Sequence, residues 1–395
     1  MESKIREVLD QAWADRFGDS ADSRYFFAPS RINIIGEHID YNGGNVFPCA
    51  ITIGTYARAK KNNSGTLRLY SKNLDRGGEL PLPLPEYQAG NGWMNYPAGV
   101  FHYLEDLGYR IGGMDVVVYG DIPNGSGLSS SSSLELLFGQ IVNSFYNDGQ
   151  IPIIDLVHAG VSCENDFFGL HTGIMDQYVI GFGKKNHAMV LDTKKEEHFY
   201  VPFTLPGAKI VIMNTNRHRA LKDSKYNERR EECEKALREL QQYKKADFLC
   251  EYAENDLPLL DSLSSDVLRR RARHVITEQA RVKRAVKALQ NEDLALLGRL
   301  LRKSQDSLRE DYEVTGPYLD AICDAANMTP GCFGARMTGA GFAGCAIALV
   351  REEAIPEFTQ DVGKQYHEKT GLEAQFILSI AGDGARELRF SGDSQ

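Results

Sequence analysis

Gly125-Ser-Gly-Leu-Ser-Ser-Ser131 places two glycines and four serines within seven positions. A segment of this kind can bind phosphate. Glycines let the backbone turn sharply and approach a ligand, serines bring hydroxyl donors, and a helix starting here would aim its unpaired N–H groups at an anion. A flexible linker or an ordinary helix N-cap has the same composition. A second cluster, Arg31, Glu37, His38, Asp40 and Tyr41, spans eleven positions around Gly36 and closes on the Gly43-Gly44 turn. Glycines beside a dense polar knot suggest a rigid binding loop. Carboxylates mixed with an imidazole suit a polyhydroxylated ligand, because each sugar hydroxyl both donates and accepts. A structural salt-bridge knot and a metal site are the alternatives, although one histidine with nearby acids has no standard ligand spacing. The third group is Glu164 and Asp176, twelve residues apart across a turn. Two such carboxylates can act as metal ligand and base. Spacing alone favours a plainer reading, an exposed helical acid and a partner for a helix N-terminus.

These groups need elements to hold them. Residues 114–119 are an apolar, β-branched run short enough for a strand. Beyond the serines, Leu134, Phe138, Ile141, Val142 and Phe145 recur at helical spacing. The segment therefore reads as strand, glycine-rich turn, helix. Pro152 and Gly169 bracket a helix over 152–168 that contains Glu164, and another opens near Asp176. Residues 1–17 set Ile5, Leu9, Trp13 and Phe17 on one helical face, unlike a targeting signal. Residues 67–71, 188–192, 199–202 and 209–213 read as strands, while Pro81-Leu-Pro-Leu-Pro85 interrupts regular structure. Trp93 stands at a helix entry, where it can pack in the core or stack on a nucleobase, core packing being the ordinary case.

A polar loop (214–225) and a charged helix (226–242) lead into helices at 267–289, 294–308 and 318–326, and the basic run 269–273 suggests a solvated or domain-bridging face. Gly339, Gly341 and Gly344 match GxGxxG, but a β-like segment follows where a dinucleotide fingerprint needs a helix. A glycine turn joining two strands and approaching a ligand or the first domain fits better. A helix (352–369) and a strand (374–380) come last.

Composition narrows the class. The chain has 395 residues, which suggests two or three domains, and Pro206-Gly207 loosens the chain between 1–203 and 204–395. A net charge of −9 argues against a nucleic-acid partner. Seven scattered cysteines without CxxC read as reduced thiols in the cytoplasm, neither a disulfide frame nor a zinc site. No apolar run reaches the ~18 residues of a membrane span. Neither GxxxxGK[ST] nor the protein-kinase motif set is present.

Ser30-Arg-Ile-Asn-Ile-Ile-Gly-Glu-His-Ile-Asp-Tyr41 resembles GRxNLIGEHTDY, the signature of the galactokinases among the GHMP kinases. Gly125–Ser131 is similar to the second motif of that family, and Met337-Thr-Gly-Ala-Gly-Phe-Ala-Gly-Cys345 to the third. Trp93-Met-Asn-Tyr96, Gly173-Ile-Met-Asp-Gln177 and the stretch from Tyr226 to Cys233 resemble further segments. The resemblance implies a two-domain GHMP kinase fold of α/β and α+β class: an N-terminal α/β domain (1–203), a C-terminal ferredoxin-like domain (204–395), and an active site between them.

It also implies ATP-dependent phosphorylation of D-galactose at C1, with ATP as co-substrate and Mg²⁺ as cofactor. The implied catalytic pair is Asp176 as base and Arg31 beside it. Glu37, His38, Asp40, Gly173 and Tyr226 would hold the sugar, and Ser131 with Glu164 the Mg²⁺. Gly125, Ser126, Gly127, Leu128, Ser129, Ser130 and Ser131 would hold the phosphates, with Ser71 and Trp93 near the nucleotide. A cytoplasmic monomer without nucleic-acid or membrane partners is expected. Ser30 and Ile39 replace the signature's glycine and threonine, which bears on sugar choice. Ala340 and Ala343 stand where the third motif has glycines, so both should have negative φ. Relatives that act on N-acetylgalactosamine, or that sense galactose and ATP without catalysis, are the competing classes. The sensors carry a deletion after the serine loop, whereas Ser132-Ser133-Leu134-Glu135 continue here without a gap.

Overall fold

The computed structural model describes residues 2–18, 22–123, 125–217 and 225–389. The first part runs α1 (Glu2–Phe17), β1 (Arg24–Ile35), β2 (Asn45–Lys61), β3 (Thr66–Ser71), β4 (Arg76–Pro81), α2 (Asn95–Asp106) and β5 (Met114–Gly120). Next come α3 (Ser130–Tyr146), α4 (Ile153–Ser162), α5 (Met175–Phe182), β6 (His187–Asp192) and β7 (Glu197–Pro202). The remainder is β8 (Ala208–Asn214), α6 (Tyr226–Leu240), α7 (Asp266–Gln290), α8 (Leu294–Glu310) and α9 (Gly316–Met328). It continues through β9 (Cys332–Met337), β10 (Cys345–Arg351), α10 (Ile355–Thr370), β11 (Gln375–Leu378) and β12 (Arg386–Leu388).

The first sheet has the order β12-β1-β2-β5-β3-β4, with β6 on β2 and β7 on β6. Among the described strands of this sheet only β3 and β5 pair in parallel. β1 is buried on both faces, and its alternation shows how. Tyr25 and Phe27 meet Ile5, Leu9 and Trp13 of α1, whereas Phe26 and Ala28 join the main core beneath α3. The apolar residues on either side of the polar knot are thus strand interiors, and only 36–44 is a loop. Register shifts between β1 and β2 at Pro29/Ser30 and at Asn33/Ile35 bracket Arg31. Irregularities of this kind re-aim side chains.

The second sheet, β11-β8-β10-β9, is antiparallel throughout. The glycine turn read from 339–344 does join two strands, β9 and β10. After β11 the chain returns to the first sheet, where Ala381 bridges to Ile51 and β12 pairs with β1. Neither β12 nor the glycine-bearing β4 was expected from the sequence.

Two sequence-based expectations need correction. The helix anticipated over 152–168 stops at Ser162, and Cys163–Phe167 form a single π-helical turn. Glu164 sits in that turn, buried, so it is not an exposed helical acid. The basic run 269–273 is not simply solvated either. Arg271 is 2% exposed and pairs with Glu232 and Glu313, each at 2.7 Å. α7 does bridge. His274 Nε2–H donates to the Glu37 carbonyl (3.1 Å), while Glu278 and Gln279 accept from the Gly36 and Asn45 amides (3.0 and 2.8 Å). One helix therefore grips the 36–44 loop at both ends. Among the described residues no helix is long and apolar enough to cross a membrane.

Candidate active site

The end of β1, the 36–44 loop, the glycine–serine loop before α3, the start of α5, the start of α6 and the β9–β10 turn converge on a cavity of about 390 Å³. On one side the serine loop and the β9–β10 turn meet backbone to backbone. Gly339 (φ 84) and Gly344 (φ 91) adopt left-handed conformations. A Cβ on them would lie 2.6 Å from the Gly127 carbonyl oxygen and 2.5 Å from that of Ser126. Only glycine meets both demands. Ala340 and Ala343 are absent from the positive-φ positions, as expected of alanine, whereas Phe342 takes φ 63. The turn thus approaches the serine loop, and its two alanines do not disturb that approach.

Arg31 and Asp176 lie at the centre. The guanidinium is 3% exposed and grips the carboxylate with two parallel bonds, Nε to Oδ1 at 2.7 Å and Nη2 to Oδ2 at 2.8 Å. Its third nitrogen, Nη1, donates to the Gly127 carbonyl at 3.2 Å. Ser129 Oγ donates to Asp176 Oδ2. Asp176 stands in the first turn of α5, where a helix N-terminus favours negative charge. Glu164 accepts from Ser131 Oγ at 2.8 Å, and burial raises its carboxyl pKa. A hydroxyl and a buried carboxylate in contact are hard oxygen donors of the sort Mg²⁺ takes alongside phosphate and water. Among the described residues no three His, Cys, Asp or Glu side chains group for a metal.

The opposite side is lined by Glu37, His38, Asp40, Gly173 and Tyr226. Burial holds Glu37 at a pKa of about 7, against the pull of Arg336 and Arg31. Its carboxylate accepts from the Gly339 amide at 2.5 Å and from the Asn33 side chain. Asp40 is pushed up to about 6, by burial first and by the neighbouring Asp176 charge second. Its carboxylate occupies the space beside Gly173. A Cβ on Gly173 would lie 1.9 Å from Asp40 Oδ2. The His38 ring is oriented from both ends. Because a carbonyl only accepts, Nε2–H donates to Ala340 O (3.1 Å), while Nδ1 pairs with Tyr41 Oη (2.9 Å). Tyr41 Oη also meets Tyr312 Oη (2.8 Å), and Tyr312 Oη meets the Cys233 thiol (3.0 Å), completing a row of hydrogen bonds.

Of the site residues expected from sequence, Arg31, Glu37, His38, Asp40, Gly125, Gly127, Ser129, Ser130, Ser131, Glu164, Gly173, Asp176 and Tyr226 all line this cavity. Leu128 and Ser126 sit behind it, in the core and under the β9–β10 turn. Ser71 and Trp93 are not part of its wall; Ser71 is buried, and Trp93 packs on the main core with Nε1 unpartnered. Tyr96, Leu170, Thr172, Met175 and Asn227 line the cavity without having been assigned a role; Tyr96, Met175 and Asn227 lie inside segments quoted for the family resemblance, and Thr172 adjoins one. Ser30 and Ile39, the two signature departures, are buried outside the wall.

The cavity can hold a polyhydroxylated ligand against carboxylates on one side and an anion against backbone amides on the other. Known proteins resemble this chain in sequence and in fold. Residues 11–61 match the galactokinase galactose-binding signature, 95–184 the GHMP kinases N-terminal domain and 285–368 the GHMP kinases C-terminal region. A galactokinase from Exiguobacterium sibiricum is 47% identical, over 97% of this chain and 98% of its own length. One from Bacillus subtilis is 43% identical over 98% and 100%. The crystal structure of Lactococcus lactis galactokinase complexed with galactose superposes with a TM-score of 0.94 at 42% identity, covering 97% of this chain and all of that one. Methanococcus jannaschii mevalonate kinase shares the fold alone, at TM-score 0.65 and 20% identity over 92% of this chain and all of its own. With near-complete coverage at such identity, and with the signature residues gathered in one cavity, the chain belongs to the galactokinase family of the GHMP kinases.

Proposed function

We propose that the chain transfers the γ-phosphoryl group of ATP to the C1 hydroxyl of D-galactose, giving α-D-galactose 1-phosphate and ADP. The observation that carries this reading is Asp176, clasped by Arg31 between a carboxylate-lined side and a glycine–serine loop. A hydroxyl bound between Glu37, Asp40 and Tyr226 would face Asp176. Phosphoryl transfer passes through a loose transition state, so alignment of the hydroxyl matters as much as removal of its proton. Asp176 orients the hydroxyl and accepts its proton late. The Arg31 guanidinium, fixed by Asp176 and the Gly127 carbonyl, balances charge on the transferring group.

Gly125–Ser131 cradle the phosphates with backbone amides and hydroxyls. Ser131 and Glu164 would hold Mg²⁺, which when bound neutralises phosphate charge and aligns the chain of phosphates. Trp93 and Ser71, which stand outside the wall of this cavity, would lie near the nucleotide only as the family resemblance implies. The division into 1–203 and 204–395 follows the two sheets, apart from the returning C-terminal strand. Unpaired cysteines throughout fit a cytoplasmic setting. The test is ADP release across galactose, N-acetylgalactosamine and glucose, with phosphorus NMR of the product. Galactose should give by far the highest kcat/KM and a C1 phosphate. Equal turnover of N-acetylgalactosamine, or no turnover of any sugar, overturns the reading.

A further inference from the structure

Ser30 occupies the signature's glycine position, is fully buried and lies outside the cavity wall. Its hydroxyl donates to the Leu128 carbonyl in the serine loop. Next along β1, Arg31 Nη1 donates to the Gly127 carbonyl at 3.2 Å. Two consecutive strand residues thus hold two consecutive carbonyls of the loop. In a trans peptide the N–H points opposite to the C=O. A Leu128 carbonyl drawn toward β1 therefore turns the Ser129 amide away from β1.

Ser129 itself has φ 59 and ψ 48, a left-handed conformation that residues with a side chain seldom adopt. Such a backbone persists where its surroundings hold it on both sides. Here the peptide before Ser129 is held by Ser30, and its own side chain by Asp176. Glycine at position 30 would supply no hydroxyl, and that peptide would lose one of its two restraints.

We propose that Ser30 is a positioning residue for nucleotide binding: its hydroxyl fixes the Leu128–Ser129 peptide so that the Ser129 amide faces the phosphates of ATP. The inference rests on the reading of the serine loop as the ATP-phosphate cradle. A residue that merely satisfied a buried carbonyl would affect folding stability and nothing else.

Ser30→Ala and Ser30→Gly separate the two roles. ATP affinity is measured by calorimetry without sugar, galactose affinity likewise, and KM and kcat where turnover occurs. Loss of one hydrogen bond to the cradle should raise the Kd and KM for ATP about three- to tenfold, with galactose Kd within about twofold of wild type. Unchanged ATP affinity in both variants overturns the proposal. So does a parallel loss for ATP and galactose that follows a lowered Tm. A wild-type protein that binds ATP and phosphorylates no sugar would overturn the sugar-kinase reading and leave the Ser30 comparison intact. A wild type that binds no ATP would overturn both.

Discussion

Gly173→Ala tests the sugar side of the cavity with a single methyl group. Gly173 has no positive φ, so alanine can take its backbone conformation and the effect is one of space. The added Cβ would sit 1.9 Å from Asp40 Oδ2 and 2.4 Å from Cγ, whereas ordinary contact begins at 3.4 Å, so the carboxylate must retreat by about 1.5 Å. A hydrogen bond stretched that far is no longer one. Hydrogen bonds to charged acceptors are worth about 1.5–3 kcal/mol, so galactose Kd should rise about 10- to 150-fold. Calorimetry gives that Kd directly, and ATP titrated on the same preparation should bind as to wild type. The double variant Gly173→Ala/Asp40→Ala should bind galactose about as weakly as Asp40→Ala alone, because both changes remove the same contact. Wild-type galactose affinity in Gly173→Ala, or fully additive losses in the double variant, would refute the placement of Asp40 against the sugar.

Further expectations concern the acids. Asp176→Asn should keep galactose affinity and lose about 10²–10⁴ in kcat by single-turnover kinetics, the range for a positioned base; near-normal turnover would leave Asp176 as a helix-terminal partner only. Glu164→Gln should raise the Mg²⁺ concentration needed for half-maximal rate without changing galactose Kd, and an unchanged Mg²⁺ titration would remove Glu164 from the metal's shell. Asp40 is held at about 6 against a usual 3.8, so between those values the folded state binds more protons than the unfolded one and stability falls as pH rises. The Tm of Asp40→Asn relative to wild type should therefore climb between pH 4 and pH 7, and parallel Tm profiles would contradict the raised value.

Much of the site was legible because it is local in sequence. The strand, glycine turn and helix around Gly125–Ser131 declare themselves by a change from β-branched run to helical spacing, and the structure keeps that pattern in β5 and α3. The polar knot at 31–41 was legible as a site, but its flanks were not legible as strands, because β1 is buried on both faces and lacks the alternation of a half-exposed strand. Glu164 shows the limit of spacing arguments. Its burial comes from a π turn and from Ser131 and Gln177 on other helices, none of which its neighbours in sequence announce. The grip of α7 on the 36–44 loop is likewise invisible in a helix whose amphipathic pattern explains only its buried apolar residues. His274 and Glu278 look like polar outliers in that pattern until their partners, the Glu37 carbonyl and the Gly36 amide, are in place.

The return of the chain to the first sheet has a mechanical side. The chain passes between the sheets twice, once after β7 and once after β11. Both passages are tied to the same residue: Asn186 accepts from the Phe203 amide at 2.9 Å and donates to the Ala381 carbonyl at 3.1 Å. Two parallel tethers pinned together form a spine. The spine does not act alone: α7 holds the 36–44 loop, and Arg336 at the end of β9 donates to the Asn33 and Ile34 carbonyls of β1 (both 3.1 Å), so the two sheets are fastened at the spine and again beside the site.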